Sequence, residues 1–180
     1  MSKPMGSPIR LHHTAFVTTN LEKARVFYEE LLGLPLVATW CEKDELFGEM
    51  RTYCHCFFGL PDGSALAFFQ FASERDQKLF GPELTPSPFR HIALSVDAST
   101  LDAVASRLAA AGYKEPATYI LEHGYCRSLY VEDPSGMLVE LTADTPSAVD
   151  PAFVASKKAT AHSELARWLA GDHSSNNTYR

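Results

Sequence analysis

The chain has 180 residues, 46% of them hydrophobic and 21% charged, with a formal net charge of −6. That suits one soluble domain with a real core, and the negative balance excludes the basic face that nucleic-acid binding needs to neutralise phosphates. No apolar run approaches the length of a bilayer span, and the start, MSKPMGSPIR, lacks the apolar core of a signal peptide, so a cytoplasmic address is expected.

An alternating run from His12 suits a first strand. Leu21, Ala24, Phe27, Tyr28, Leu31 and Leu32 then recur on one helical face, with Asn20 as N-cap and Gly33 as C-cap. Three strand-like runs follow near 34–41, 50–59 and 64–71, the last two divided by Pro61-Asp62-Gly63. The stretch ASERDQKLFGPELTPSPFR, with three prolines, reads as a linker over 72–89. From Arg90 the pattern returns. A strand-like run leads to a helix with Leu101, Val104, Ala105, Leu108 and Ala111 on one face, capped by Ser99 and Gly112. Runs near 116–122, 126–132 and 137–142 complete it, the last two divided by Asp133-Pro134-Ser135-Gly136.

The expectation is an α+β fold of two tandem βαβββ modules, about 10–71 and 90–143, forming one domain over 10–143. A helical extension occupies 144–180. Its helix begins at Pro151 behind Asp150, ends at Gly171, and carries Phe153, Leu165, Trp168 and Leu169 for docking on the core or on a partner subunit.

Matching the modules sets His13-Thr-Ala-Phe against His91-Ile-Ala-Leu, so two histidines occupy equivalent positions. Alternation places His13, Ala15 and Val17 on one face, and His91, Ala93 and Ser95 likewise, while Phe16, Ile92, Leu94 and Val96 face the helices. His12 would point away from His13. In the last run Glu140 shares a face with Leu138 and Thr142, and a carboxylate in apolar company needs a partner. Two imidazoles and one carboxylate suit a divalent first-row metal with open positions. Gln70 is read as the neighbourhood equivalent of Glu140, although it lies nine residues after Pro61 whereas Glu140 lies six after Pro134; it is a fourth ligand, a supporting donor or a polar strand end. Cys41, Cys54, Cys56 and Cys126 include no CxxC pair and read as reduced thiols. Cys54-His55-Cys56 is not a metal cluster, because on a strand His55 points away from both cysteines. Trp40, Phe47, Tyr53 and Phe80 are candidates to line a pocket, with core or lid packing preferred for most.

The paired modules with strand-borne ligands resemble the vicinal oxygen chelate superfamily of glyoxalases, bleomycin-binding proteins and extradiol dioxygenases, whose strands form a half-open mixed barrel around a metal. Within it, His123, Leu129-Tyr130, Asp133-Pro134-Ser135-Gly136 and Glu140 resemble the signature of extradiol ring-cleavage dioxygenases, with Leu121 as a departure before the histidine. The resemblance implies Fe(II), or else Mn(II), on His13, His91 and Glu140, with His123 in proton transfer and Tyr130 orienting the substrate. Gln70 stands near the place of a further active-site histidine. The implied substrate is a small aromatic diol cleaved with O2, and the implied assembly a homodimer. The alternatives are a glyoxalase- or epimerase-like enzyme using Ni(II), Zn(II), Co(II) or Mn(II), a metal-free drug-binding protein, and a glutathione-transferring resistance enzyme. The retained ligands argue against the second, and no clear potassium loop or thiol site marks the third.

Overall fold

The computed structural model describes residues 8–82, 85, 87–177 and 179. They form two compact units. The first takes in the described residues up to Pro88 and also Glu132–Met137; the second holds Phe89–Val131 and the chain from Leu138 onward.

In the first unit, β1 (His13–Val17), β2 (Leu36–Leu46), β3 (Glu49–Gly59) and β4 (Ala65–Phe71) form a four-stranded mixed sheet in the order β1-β4-β3-β2. β1 pairs parallel with β4, and the remaining pairs are antiparallel. A parallel pair needs a long crossover. Helix α1 (Leu21–Arg25), continuing as a π-helix over Val26–Leu31, begins it. Asn20 caps α1 as expected, its side chain accepting from Lys23 N. Ala24, Phe27, Tyr28 and Leu32 are buried, and the Tyr28 ring packs at 4.7 Å from Phe68 and 5.5 Å from Phe58. Strand alternation puts those two rings on the helix side and leaves His13, Ala15, His55, Phe57 and Phe69 on the other face.

β2 and β3 run further than the sequence suggests. The charged stretch from Glu42 to Glu45 continues the ladder to a tight turn at Phe47 and Gly48, with φ 55° and 78°. The charges hid the strand because this ribbon extends past the core and has no apolar face to alternate. The expected linker likewise begins with a helix, α2 (Glu74–Phe80), capped by Ser73. Its prolines start only at Pro82; Pro86 lies outside the described residues. A buried ion pair between Arg51 and Asp76 ties α2 to β3, and the Arg51 guanidinium lies 4.9 Å from the Phe80 ring centre.

In the second unit, β5 (His91–Ser95), β6 (Thr118–Glu122), β7 (Cys126–Glu132) and β8 (Leu138–Asp144) form a matching sheet in the order β5-β8-β7-β6, with β5 parallel to β8. Helix α3 (Ala98–Ala110) buries Leu101, Val104 and Leu108. Its cap is Asp97, not Ser99: the Asp97 carboxylate accepts from Thr100 N at 2.6 Å and from the Ser99 hydroxyl at 2.7 Å, so Ser99 supports the cap from inside the first turn. Helix α4 (Pro151–Leu169) starts on Asp150, which accepts from Ala152 N and Phe153 N. Leu165, Trp168 and Leu169 stay exposed, while Phe153 meets Tyr179 at 5.5 Å. Among the described residues no helix is long and apolar enough to cross a membrane.

Candidate active site

On the second sheet, the register pairs His91 with Leu138 and Ala93 with Glu140. That parallel stagger brings His91 Nε2 to 3.0 Å from Glu140 Oε2. The other carboxylate oxygen, Oε1, accepts from the Tyr130 hydroxyl at 2.9 Å. His123 Nε2 lies 3.2 Å from the same hydroxyl oxygen. A continuous chain therefore runs His123, Tyr130, Glu140, His91. The Tyr130 proton is committed to Glu140, so His123 Nε2 donates to the phenol oxygen. Burial, then the hydrogen bond to Glu140, push the Tyr130 phenol up to about 12, keeping it a donor.

Local structure explains how these groups meet. Tyr130 stacks on its cross-strand partner Tyr119 at 5.1 Å, which fixes the ring. Gly124, at φ 84°, allows the turn after β6 that returns His123 N to Cys126 O at 2.8 Å. Glu140 retains only 9% of its side-chain exposure, against 30% for His91. The carboxylate is desolvated and polarised, and the imidazole beside it is reachable.

An imidazole nitrogen beside a desolvated carboxylate offers the donor types that suit a divalent first-row metal. Among the described residues of either unit, no three His, Cys, Asp or Glu side chains gather around one point. The third expected donor, His13, belongs to the first unit.

His13 holds in its sheet the place that His91 holds in the other: β1 pairs His13 with Ala65 and Ala15 with Ala67. It is exposed, with its ring centre 5.6 Å from Phe57 and 6.4 Å from His55. His12 does not point away as expected. It precedes the strand, so alternation does not govern it, and its Nδ1 lies 2.7 Å from His13 Nδ1. His55 lies on the His13 face, away from the cysteines as the sequence indicates, and stacks on Phe69 at 3.6 Å. Burial first, and the nearby His13 second, hold its pKa below the ordinary imidazole value. Its alternation with Tyr53 and Phe57 was the signal that it belonged with His13.

The same unit holds a cavity of about 460 Å³ lined mainly by Val17, Leu46, Phe47, Tyr53, Phe71 and Phe80. Phe47, Tyr53 and Phe80 are thus cavity walls rather than core packing. Phe71 stacks on Phe80 at 5.1 Å, and Phe47 on Phe80 at 5.7 Å.

Gln70 is not brought to this face. The register makes Ala67, paired with Ala15, the counterpart of Glu140, paired with Ala93. Gln70 pairs with Cys54 on the helix side, where its Oε1 accepts from Leu21 N at 2.8 Å. It anchors the start of α1. Gln70→Ala should cost about 1 kcal/mol of stability in urea unfolding and leave metal content unchanged; a lost metal would return Gln70 to the site.

The model of the Glyoxalase/Bleomycin resistance protein/Dioxygenase superfamily matches residues 10–141. No curated protein matches the chain. Among solved structures, the fosfomycin resistance protein FosX of Listeria monocytogenes is 20% identical, with a TM-score of 0.57 over 79% of this chain and 98% of its own. A glyoxalase family protein of Bacillus cereus is 19% identical, with a TM-score of 0.58 over 79% of this chain and 99% of its own. A glyoxylase/bleomycin resistance protein/dioxygenase domain from Frankia sp. EAN1pec is 19% identical, with a TM-score of 0.57 over 78% and 95%. The Listeria monocytogenes protein has also been seen with Mn(II) and 1S,2S-dihydroxypropylphosphonic acid. At these identities the likeness is one of fold.

Proposed function

The chain belongs to the glyoxalase/bleomycin resistance protein/dioxygenase superfamily, and from that premise we propose that it is a metal-dependent extradiol-type dioxygenase cleaving a catechol-like vicinal diol with O2. The observation that carries this reading is the chain His123, Tyr130, Glu140, His91. His91 and Glu140 would hold the ion. Bound there, Fe(II), or Mn(II) in its place, supplies Lewis acidity toward two adjacent hydroxyls and the redox partner for O2. The Mn(II) seen in the Listeria monocytogenes protein supports a divalent ion.

Tyr130 keeps the Glu140 carboxylate in one orientation and presents its oxygen toward His123. His123 is the proton-transfer group: its imidazole would take the proton that a substrate hydroxyl releases. The exposed Leu165, Trp168 and Leu169 on α4 support a homodimer.

The test is oxygen uptake. Protein purified without air and loaded with Fe(II) should consume O2 with a catechol and release a yellow ring-opened product. Iron that stays bound while a broad catechol panel gives no uptake sinks the reading. Turnover of a glyoxalase- or epimerase-type substrate without O2 would put the enzyme with those relatives instead.

A further inference from the structure

The face of β2 and β3 opposite His55 carries three thiols in a row. Cys41 and Cys54 are direct cross-strand partners, with their sulfurs 3.8 Å apart. Cys56, two residues along β3, places its sulfur 4.0 Å from that of Cys54. Cys41 is exposed, Cys54 half-buried and Cys56 buried. Directly opposed antiparallel residues have Cα atoms about 4.5–5.5 Å apart, inside the span that a disulfide bridges. Closing the sulfurs to bonding distance needs side-chain rotation and no strand movement.

We propose that Cys41 and Cys54 are an oxidation site, closing to a reversible disulfide when a two-electron thiol oxidant such as hydrogen peroxide is present. The exposed Cys41 meets the oxidant. Its sulfur attacks one peroxide oxygen, the O–O bond breaks, one water leaves, and a sulfenic acid remains. Cys54 Sγ then attacks the Cys41 sulfur, the S–S bond forms, the S–O bond breaks, and the second water leaves. Two thiols lose two electrons and two protons, and one peroxide becomes two waters. The neighbouring cross-strand pair, Trp40 with His55, lies on the opposite face, so the bridge would stiffen the ribbon under the His55 side without blocking it. None of this depends on the proposed catalytic activity.

Native protein, with chelator present to suppress metal-driven chemistry, is treated with hydrogen peroxide, denatured and alkylated with N-ethylmaleimide. Intact mass should show two adducts in place of the four available from the four cysteines, returning to four after dithiothreitol, and peptide mapping should join Cys41 to Cys54. Cys126→Ser, in the other unit, should still lose two adducts, whereas Cys41→Ser should keep its three. Retention of all four adducts, irreversible oxygen addition at Cys41, or a cross-link between two chains through Cys41 would overturn the proposal.

Discussion

Glu140→Ala should lower affinity for Mn(II) or Fe(II) by at least about a hundred-fold, and His91→Ala by a similar factor, measured by isothermal titration and by metal content after gel filtration. Each substitution removes one end of the 3.0 Å contact between His91 Nε2 and Glu140 Oε2. Glu140 also supplies the negative charge of the proposed ligand set, so its loss leaves only a neutral imidazole to hold a dication. Tyr130→Phe keeps both donors but frees one carboxylate oxygen, and should cost about tenfold in affinity. His123→Phe lies one step further along the chain. It should leave metal content intact and lower kcat by about a hundred-fold or more. Metal affinity unchanged in both Glu140→Ala and His91→Ala would remove these residues from the ligand set. Equal losses of metal in His123→Phe and His91→Ala would erase the division between holding and proton transfer.

The repeat was legible because each module pairs a two-residue alternation with a helical spacing, and these signals survive without an alignment. His13 and His91 could be matched for that reason. The partner of Glu140 in the first module is not Gln70, although Gln70 is the polar residue nearest the expected place. The turns give the right answer: six residues after Pro134 is Glu140, and six after Pro61 is Ala67, with both hairpin connections of equal length. The first module therefore contributes no second donor at that position. Tyr130 bonding to Glu140 was not readable as a contact, since nothing in spacing alone specifies a phenol directed at one carboxylate oxygen. The cavity as a whole is not legible in the sequence, because α2 and the tip at Phe47 are set by capping and turn geometry and not by apolar period.

Asp133→Ala should destabilise the fold by about 3 kcal/mol in urea unfolding, because the turn motif DPSG is built around that carboxylate. Asp133 Oδ1 accepts from Ser135 N and Met137 N, both at 2.8 Å, and Oδ2 accepts from the Tyr28 hydroxyl at 2.9 Å. Tyr28 is fully buried and Asp133 nearly so, so truncation strands the Tyr28 hydroxyl and the Met137 N–H away from water and leaves the half-buried Ser135 N–H without this acceptor. The motif is thus structural, and its spacing to Glu140 follows from the hairpin it closes. Burial outweighs these hydrogen bonds and raises the Asp133 pKa above the ordinary aspartate value. The folded state then binds this proton more tightly than the unfolded chain does. The corresponding stability is full below the ordinary aspartate pKa of about 3.9 and is lost as pH rises through the higher folded value. Asp133→Asn keeps an acceptor for the two backbone donors and cannot ionise. Its stability relative to the native protein should therefore improve between pH 4 and pH 7, measured as the difference between paired urea curves. A difference that moves the other way would mean that the turn hydrogen bonds, not burial, govern this carboxylate.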